Sequence, residues 1–386
     1  MPVIMSFLNN FDKKITLKFF NKTINKGNKM NKITKLFVVV LSSLFVSAQA
    51  FAGELAVTGS AKASYAINGG QGNDNDKGLG ITNELKFAAT GELDNGFTWS
   101  YFMELDGNDG GAHDNDDTQL AIGMGDMGTL KLNDSEGGLS TETGMGIGAL
   151  GVGDDFANTA AMVGNDIDVS GSGNIEYNTA SGLLPFGLSA KVAYVPNNSD
   201  GDNNSYKSTG GENTAGNTGD SNMMYQLTAS PVDGLNIGAD YITSENTTGT
   251  VAQEQESGGW YANYALGNFK VGYGERYHAP GIDDKISAGA HSYELEQVGV
   301  ELAINDALSV SYMTEESTRK TYGAAIAATA GNSPFTRTQI TFESEYLQAA
   351  YDIGGATVGI ASIESTNSGY AAGDANLTIV SLAMAF

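Results

Sequence analysis

Hydrophobic and polar residues alternate along most of the chain after position 53. In the segment 54–67, Leu55 and Val57 share one face of an extended chain, and Lys62 lies on the opposite face. A two-residue period of this kind predicts half-buried β-strands. The period recurs in sixteen segments: 54–67, 79–93, 96–106, 117–125, 128–133, 173–180, 186–195, 222–231, 234–245, 257–267, 268–277, 291–304, 307–316, 337–352, 355–365 and 374–386.

The connections between these segments alternate between short turns and long polar loops. Short turns such as Asp94-Asn95-Gly96 and Asp233-Gly234 suit tight hairpins. The long loops are predicted at 68–78, 106–117, 196–221, 245–257, 278–290 and 316–337. Because the two kinds alternate, all short turns lie at one rim of the sheet and all long loops at the other. This asymmetry is typical of barrels that cross a bacterial outer membrane.

The amino-terminal region has the layout of a secretory signal peptide. Lys32 and Lys35 precede an apolar run at 36–46, and Ala50-Phe51-Ala52 follows it as a cleavage site. The apolar run is shorter than the ~20 residues that a membrane-spanning helix requires. The segment therefore predicts export rather than a helical anchor.

We expect the chain to divide into a removable leader and one large domain. Residues 1–52 would be an extension plus the signal peptide, with Met30 as the true start and cleavage after Ala52. A start at Met1 with an unusually long basic region is the alternative. The mature domain would be 53–386, and it contains no later apolar run long enough for a helical span. If this domain enters a membrane, it must do so as a closed β-barrel.

Composition excludes several other classes of protein. The chain has 20 Lys and Arg against 45 Asp and Glu, a net charge of −25, and nucleic-acid binding requires clustered positive charge. It has no cysteine, which excludes a disulfide scaffold and thiolate metal sites. The three histidines, His113, His278 and His291, are expected in or beside solvated loops. Ser292 follows His291, but alternation points the two side chains to opposite faces, so we expect no enzymatic activity.

Basic residues within the predicted strands lie on the polar faces. In a barrel this face would line the lumen, whereas in a soluble sandwich it would be the solvated outside, and alternation alone does not separate the two cases. Aromatic residues near strand ends, such as Trp99 and Tyr312, favour the membrane barrel because they suit an interfacial girdle. The predicted basic wall of the pore consists of Lys62, Lys86, Lys131, Lys191, Lys270 and Arg276.

Four segments carry a resemblance to a known family: FAGELAVTGSAKASYAI, FAATGELDNGFTWSYFMELDG, LAIGMGDMGTLKLND and the terminal LTIVSLAMAF. In these the chain resembles the Gram-negative general porins, especially the sixteen-stranded trimeric porins of alphaproteobacteria. The resemblance implies an all-β transmembrane antiparallel barrel, a homotrimer in outer-membrane lipid, and a water-filled channel for small hydrophilic solutes without a cofactor. It also implies that Phe386 is the assembly signal read by the barrel-insertion machinery.

The resemblance also gives a role to residues 134–172, which are long for a simple loop. In the family the third long loop folds into the barrel and narrows it. We expect its carboxylates to face the channel and to oppose the basic wall, giving weak cation preference. These carboxylates are Glu136, Glu142, Asp154, Asp155, Asp166 and Asp168.

Acidic residues at alternate positions in two loops are candidate calcium ligands. Asp74 and Asp76, and likewise Asp114 and Asp116, offer the hard oxygen ligands that calcium prefers. Neither group completes a calcium-binding loop, so solvated acidic loops are the competing interpretation. Two alternative functions also stay open: a substrate-selective outer-membrane channel, and a secreted calcium-dependent all-β surface protein.

Overall fold

The computed structural model describes residues 55–70, 77–107, 113–134, 173–196, 221–245, 253–282, 289–322 and 337–386. These residues form one closed antiparallel barrel of sixteen strands, in which neighbours along the chain are neighbours in the sheet. The strands are β1 Leu55–Gly70, β2 Lys77–Glu92, β3 Thr98–Gly107, β4 His113–Gly123, β5 Thr129–Asp134, β6 Asn174–Asn178, β7 Ser189–Val195, β8 Ser221–Val232, β9 Leu235–Glu245, β10 Glu256–Leu266, β11 Phe269–Ala279, β12 Gly289–Ala303, β13 Leu308–Tyr322, β14 Arg337–Asp352, β15 Ala356–Thr366 and β16 Asp374–Ala385.

The predicted alternation separates the two faces of the wall. On β12 the exposed positions Val298, Val300 and Leu302 form an apolar stripe, while the alternate residues Gln297 and Glu301 lie on the opposite face. The same pattern repeats around the barrel and puts large apolar side chains outside. Such an apolar band on the exterior is unsuited to water and matches the lipid-facing band of a membrane barrel.

The barrel closes where the first strand meets the last. β1 pairs with β16 in an antiparallel register that runs from Ser60 opposite Ala385 to Gly70 opposite Ala375. Closure satisfies the backbone groups of both strands that would otherwise be sheet edges. This is the fold that the sequence predicted.

Short turns join the strands at one rim, as the turn residues predicted. Gly96 and Gly234 adopt φ values of 81° and 79°. Glycine reaches this region readily, whereas residues with a side chain seldom do. At the first of these turns the Asn95 side-chain oxygen accepts a hydrogen bond of 3.1 Å from the Phe97 backbone N–H. Within the described residues no helix is long and apolar enough to cross a membrane.

Two strands extend further than the sequence pattern indicated. β4 begins at His113 rather than 117, and β13 continues to Tyr322 rather than ending at 316. The backbone of Asp114 and Asp116 therefore belongs to a strand, so their prediction as loop residues is wrong. The reason is that polar residues at a barrel rim still pair with a neighbouring strand, and Asp114 lies opposite Asp106 on β3.

The expectation of a solvated histidine fails at His278, which lies on β11 and is only 1% exposed. His291 lies near the start of β12, beside a connection, as expected. Other predictions fall outside the described residues: the leader 1–52 with its cleavage site, the greater part of the 134–172 segment, and the calcium candidates Asp74 and Asp76.

Candidate functional site

The interior wall of the barrel carries charges in cross-strand pairs. Lys86 on β2 lies directly opposite Glu104 on β3, with 2.9 Å between Nζ and Oε2. Lys131 on β5 lies opposite Glu176 on β6, with 3.2 Å between Nζ and Oε1. Each lysine is on the polar face, as the alternation predicted. Its charge is balanced by a carboxylate on the next strand.

The remaining predicted lysines also occupy inward positions. Lys270 on β11 lies opposite Glu301 on β12 in the register. Lys191 on β7 lies opposite Gln226 on β8, and Lys62 on β1 lies opposite Thr82 on β2. The wall therefore combines opposed charge pairs with lysines that lie opposite a neutral polar side chain.

Arg276 reaches its carboxylate by crossing a strand. It lies on β11, while its partner Asp240 lies on β9, and β10 runs between them. A side chain at Gly259 on β10 would meet Arg276 Cγ at 2.5 Å, so the absence of one lets the arginine lie flat across the wall. Arg276 Nη1 then donates to Asp240 Oδ2 at 3.4 Å, and the two side chains are 3% and 0% exposed.

Sequence reasoning assigned the basic residues and missed the carboxylates beside them. Glu104, Glu176, Asp240 and Glu301 all lie on polar faces of segments already recognised as strands. The signal was present as the same two-residue period. Pairing them required the strand register, which the pattern of a single strand does not contain.

A buried carboxylate network lies further along the interior. Glu315 on β13 accepts hydrogen bonds from the Tyr346 hydroxyl, at 2.7 Å, and from the Gln297 side-chain amide. Tyr346 is 1% exposed and packs against the apolar residues Met313 and Ile363. The interior wall over β12–β15 is therefore a mixed polar and apolar surface.

The turn between β15 and β16 places an aromatic side chain against the inner wall. Tyr370 is 6% exposed, its hydroxyl shares a hydrogen bond with the Ser317 hydroxyl, and its ring lies 5.5 Å from that of Tyr293. Arg319 on β13 stacks on this ring, with 4.8 Å from Cζ to the ring centroid. Burial raises the pKa of the Tyr370 hydroxyl, which is therefore neutral at physiological pH.

The acidic residues predicted to narrow the barrel lie outside the described residues. These are Glu136, Glu142, Asp154, Asp155, Asp166 and Asp168. No group of three or more potential metal ligands occurs in the part of the chain that the structure describes.

The fold of the barrel and the residues that line its interior together define the class of protein. A closed barrel of sixteen antiparallel strands, apolar outside and lined with charged and polar side chains, is a membrane channel of the outer-membrane type. The sequence profile of the Gram-negative porins matches residues 36–346, so the chain belongs to that family. The protein is an outer-membrane porin.

Solved porin structures agree with this fold. OmpF of Salmonella typhi in complex with daunomycin superposes with a TM-score of 0.59 at 13% identity, covering 86% of this chain and 98% of that one. An anion-selective porin from Comamonas acidovorans superposes with a TM-score of 0.57 at 14% identity, covering 86% of this chain and 100% of that one. OmpT of Vibrio cholerae in its trimer form superposes with a TM-score of 0.55 at 12% identity, covering 87% of this chain and 100% of that one. At these identities the likeness concerns the fold alone.

The comparison with curated proteins finds no matching sequence. The roles of individual residues must therefore be argued from this chain.

Proposed function

We propose that the protein is a passive diffusion channel for small hydrophilic solutes and ions. The observation that carries the proposal is the polar interior of the closed barrel, where opposed charges such as Lys86 and Glu104 face each other across neighbouring strands. A wall of fixed, paired charges favours hydrated polar solutes over apolar ones without binding any one solute tightly.

The proposal includes weak cation preference. Four of the six predicted basic wall residues have a carboxylate partner or lie directly opposite a carboxylate: Lys86, Lys131, Lys270 and Arg276. The wall therefore contributes little net positive charge, and the whole chain is acidic at −25. The carboxylates of 134–172, such as Asp154 and Asp155, would add to this preference if that loop enters the barrel.

Export, assembly and oligomeric state belong to the same proposal. The leader would direct export and be removed after Ala52, Phe386 would serve the insertion machinery, and the mature barrel would be a homotrimer. The trimer form of the Vibrio cholerae OmpT structure supports the last point by analogy of fold. Crosslinking in mild detergent should give a trimer band.

Planar-bilayer recording tests the channel directly. Purified protein should give stepwise conductance that rises in proportion to salt concentration, and proteoliposomes should swell in small neutral sugars at rates that fall with solute size. A protein that inserts without conducting would refute the proposal.

A substrate-selective channel is the second candidate. The aromatic side chains Tyr261 and Tyr293 lie on the inward faces of β10 and β12, and neither is fully buried. Aromatic rings on a pore wall can stack on sugars or other flat solutes. Saturable flux for one solute class, with proportional flux for others, would favour this candidate over simple diffusion.

A further inference from the structure

Arg319 is held differently from the three basic residues of the inner wall that form ion pairs. Lys86, Lys131 and Arg276 each form an ion pair with a carboxylate. Among the described residues Arg319 forms none. Its Nη2 donates instead to the Tyr370 backbone oxygen at 3.2 Å, and its guanidinium lies on the Tyr370 ring.

The register around Arg319 explains why no carboxylate of the described strands lies beside it. Cross-strand neighbours at its level form one continuous inward row over eight strands, β7 to β14, and none of its other members is a carboxylate. The row runs Ala193, Met224, Ile242, Ser257, His278, Tyr293, Arg319 and Ile340.

Most members of this row are shielded from water. Met224, Ile242 and His278 are each no more than 2% exposed. On its own strand the nearest inward carboxylate is Glu315, four residues away or about 13 Å along the chain. Arg319 therefore places a positive charge in a surrounding of low polarity, where an opposite charge is attracted more strongly than in water.

Two residues of the turn that carries Tyr370 have strained backbone conformations. Tyr370 and Asn367 adopt φ values of 57° and 54°, a region that side chains other than glycine seldom occupy. Asn367 Nδ2 donates to the Thr341 backbone oxygen at 2.8 Å, which fastens the turn to β14. Strained residues persist where surrounding contacts over-determine them, and they cluster at functional positions. Here the strain sets Tyr370 as the platform under Arg319.

The guanidinium retains hydrogen-bonding capacity. Its Nε is buried without a hydrogen-bond partner, and the Nη2 bond goes to a neutral carbonyl. A guanidinium carries several N–H donors in a planar fork that matches the oxygens of carboxylate and phosphate groups. Arg319 itself is only partly buried.

We propose that Arg319, positioned by Tyr370, is a binding subsite for the oxyanion groups of permeating solutes, either carboxylates or phosphates. The proposal rests on the proposed function as a diffusion channel, and it gives that channel one attractive point for anions in an otherwise cation-preferring pore. Arg319 touches the solute, and Tyr370 acts through Arg319.

Block by inorganic pyrophosphate tests the subsite in single-channel recordings in KCl. Unmodified protein should show concentration-dependent block. Arg319→Gln should raise the half-blocking concentration about three- to tenfold, because one charge-assisted contact is lost. Lys320→Gln is the matched control: it removes the same charge one residue later, but Lys320 points outward, where it pairs with Glu294. Its block should equal that of the unmodified protein.

Variants of Tyr370 separate positioning from general damage. Tyr370→Phe keeps both the ring and the backbone oxygen and should retain block, whereas Tyr370→Leu removes the ring and should weaken block as Arg319→Gln does. Equal block in Arg319→Gln and the unmodified protein would overturn the subsite. Broadening of the pyrophosphate signal in phosphorus NMR, measured on detergent-folded protein, reports binding even if the barrel does not conduct. A lack of conductance would therefore refute the channel, and Arg319-independent broadening would refute the subsite.

Discussion

The backbones of Gly59 and Phe386 exchange two hydrogen bonds, 2.9 Å from Phe386 N to Gly59 O and 2.8 Å from Gly59 N to Phe386 O. These bonds complete the seam between the first and last strands. The Phe386 ring lies over Gly59, because a Cβ built there would be 2.7 Å from Cε2 of the ring. The terminal aromatic residue and the small residue opposite it therefore form one closure contact.

Enlarging Gly59 should weaken the seam. Gly59→Val would press on the Phe386 ring and on the Glu84 backbone oxygen, which lies 2.9 Å from the added Cβ. We expect this overpacking to lower the free energy of unfolding by about 1–3 kcal/mol. The measurement is the temperature at which the folded band disappears on a denaturing gel. Ala61→Val, at the next outward position of the same strand, should leave that temperature nearly unchanged, and an equal drop in both variants would contradict the closure contact.

Shortening the carboxyl terminus should act in two steps. Phe386→Ala removes the ring but keeps both backbone hydrogen bonds, so folded protein should reach the outer membrane at reduced levels. Deleting Phe386 removes the bonds as well and should reduce the level further, while synthesis and export continue. Immunoblots of fractionated cells measure this, and normal outer-membrane levels of the deletion variant would show that the terminus is dispensable.

The sequence predicted the barrel because its evidence is local and repeated. Alternation within each strand, glycine in the short turns and an even number of segments all follow from single stretches of chain. Pairing such as Lys86 with Glu104 depends on register, and that information lies in two strands at once. Basic wall residues were therefore predictable, and their neutralising partners were not.

Arg319 was missed for a different reason. The stretch 317–320 reads Ser-Thr-Arg-Lys and is polar on both faces, so it carries no hydrophobic period and the sequence pattern predicts a loop there. In the structure it continues β13, with Arg319 facing inward and Lys320 outward. Near a barrel rim the outer face no longer meets hydrocarbon, so the pattern that marks a strand disappears while the strand continues.

The buried pair of Arg276 and Asp240 should be strongly coupled. Asp240→Asn would remove the carboxylate that lies 3.4 Å from the buried Arg276 Nη1, and we expect it to lower the free energy of unfolding by about 3–5 kcal/mol. The combined Asp240→Asn and Arg276→Gln variant should recover much of that loss, because it removes both opposite charges of the pair together. Urea unfolding in detergent, analysed as a double-mutant cycle, measures the coupling. Additive losses in the cycle would show that the two side chains act independently.

Replacing one carboxylate in a row on the outer wall should stabilise the barrel, whereas replacing Asp240 should destabilise it. Glu296 on β12 lies directly between Glu275 on β11 and Glu316 on β13, and Glu316 lies opposite Glu343 on β14. Like charges directly opposite each other on neighbouring strands are destabilising. Glu296→Gln should therefore raise the unfolding temperature slightly, and the gain should shrink in high salt because screening reduces the repulsion.

Glu294 supplies the control for this prediction. It lies on the same outer face of β12 but forms an ion pair with Lys320. Glu294→Gln loses that attraction and should not raise the unfolding temperature. Equal stabilisation by both replacements would mean that general reduction of negative charge, rather than the opposed row, sets the effect.

Ion selectivity should follow from the balance within the pair of Lys86 and Glu104. Lys86 stacks on the Phe102 ring, 3.6 Å from its centroid, and its side chain is 35% exposed, so it is accessible from the lumen. Lys86→Gln leaves the Glu104 charge uncompensated and should strengthen cation preference. Glu104→Gln leaves the lysine uncompensated and should weaken or reverse it.

The zero-current potential across a KCl gradient measures both shifts. The variant with both replacements should return close to the unmodified value, because it removes one charge of each sign from the same place. The differences should be largest in dilute salt, where screening extends over more than the ~10 Å found at 0.1 M. A clear anion preference of the unmodified protein in dilute salt would mean that basic groups outweigh the carboxylates along the conduction path. The paired wall would then not be the determinant of selectivity.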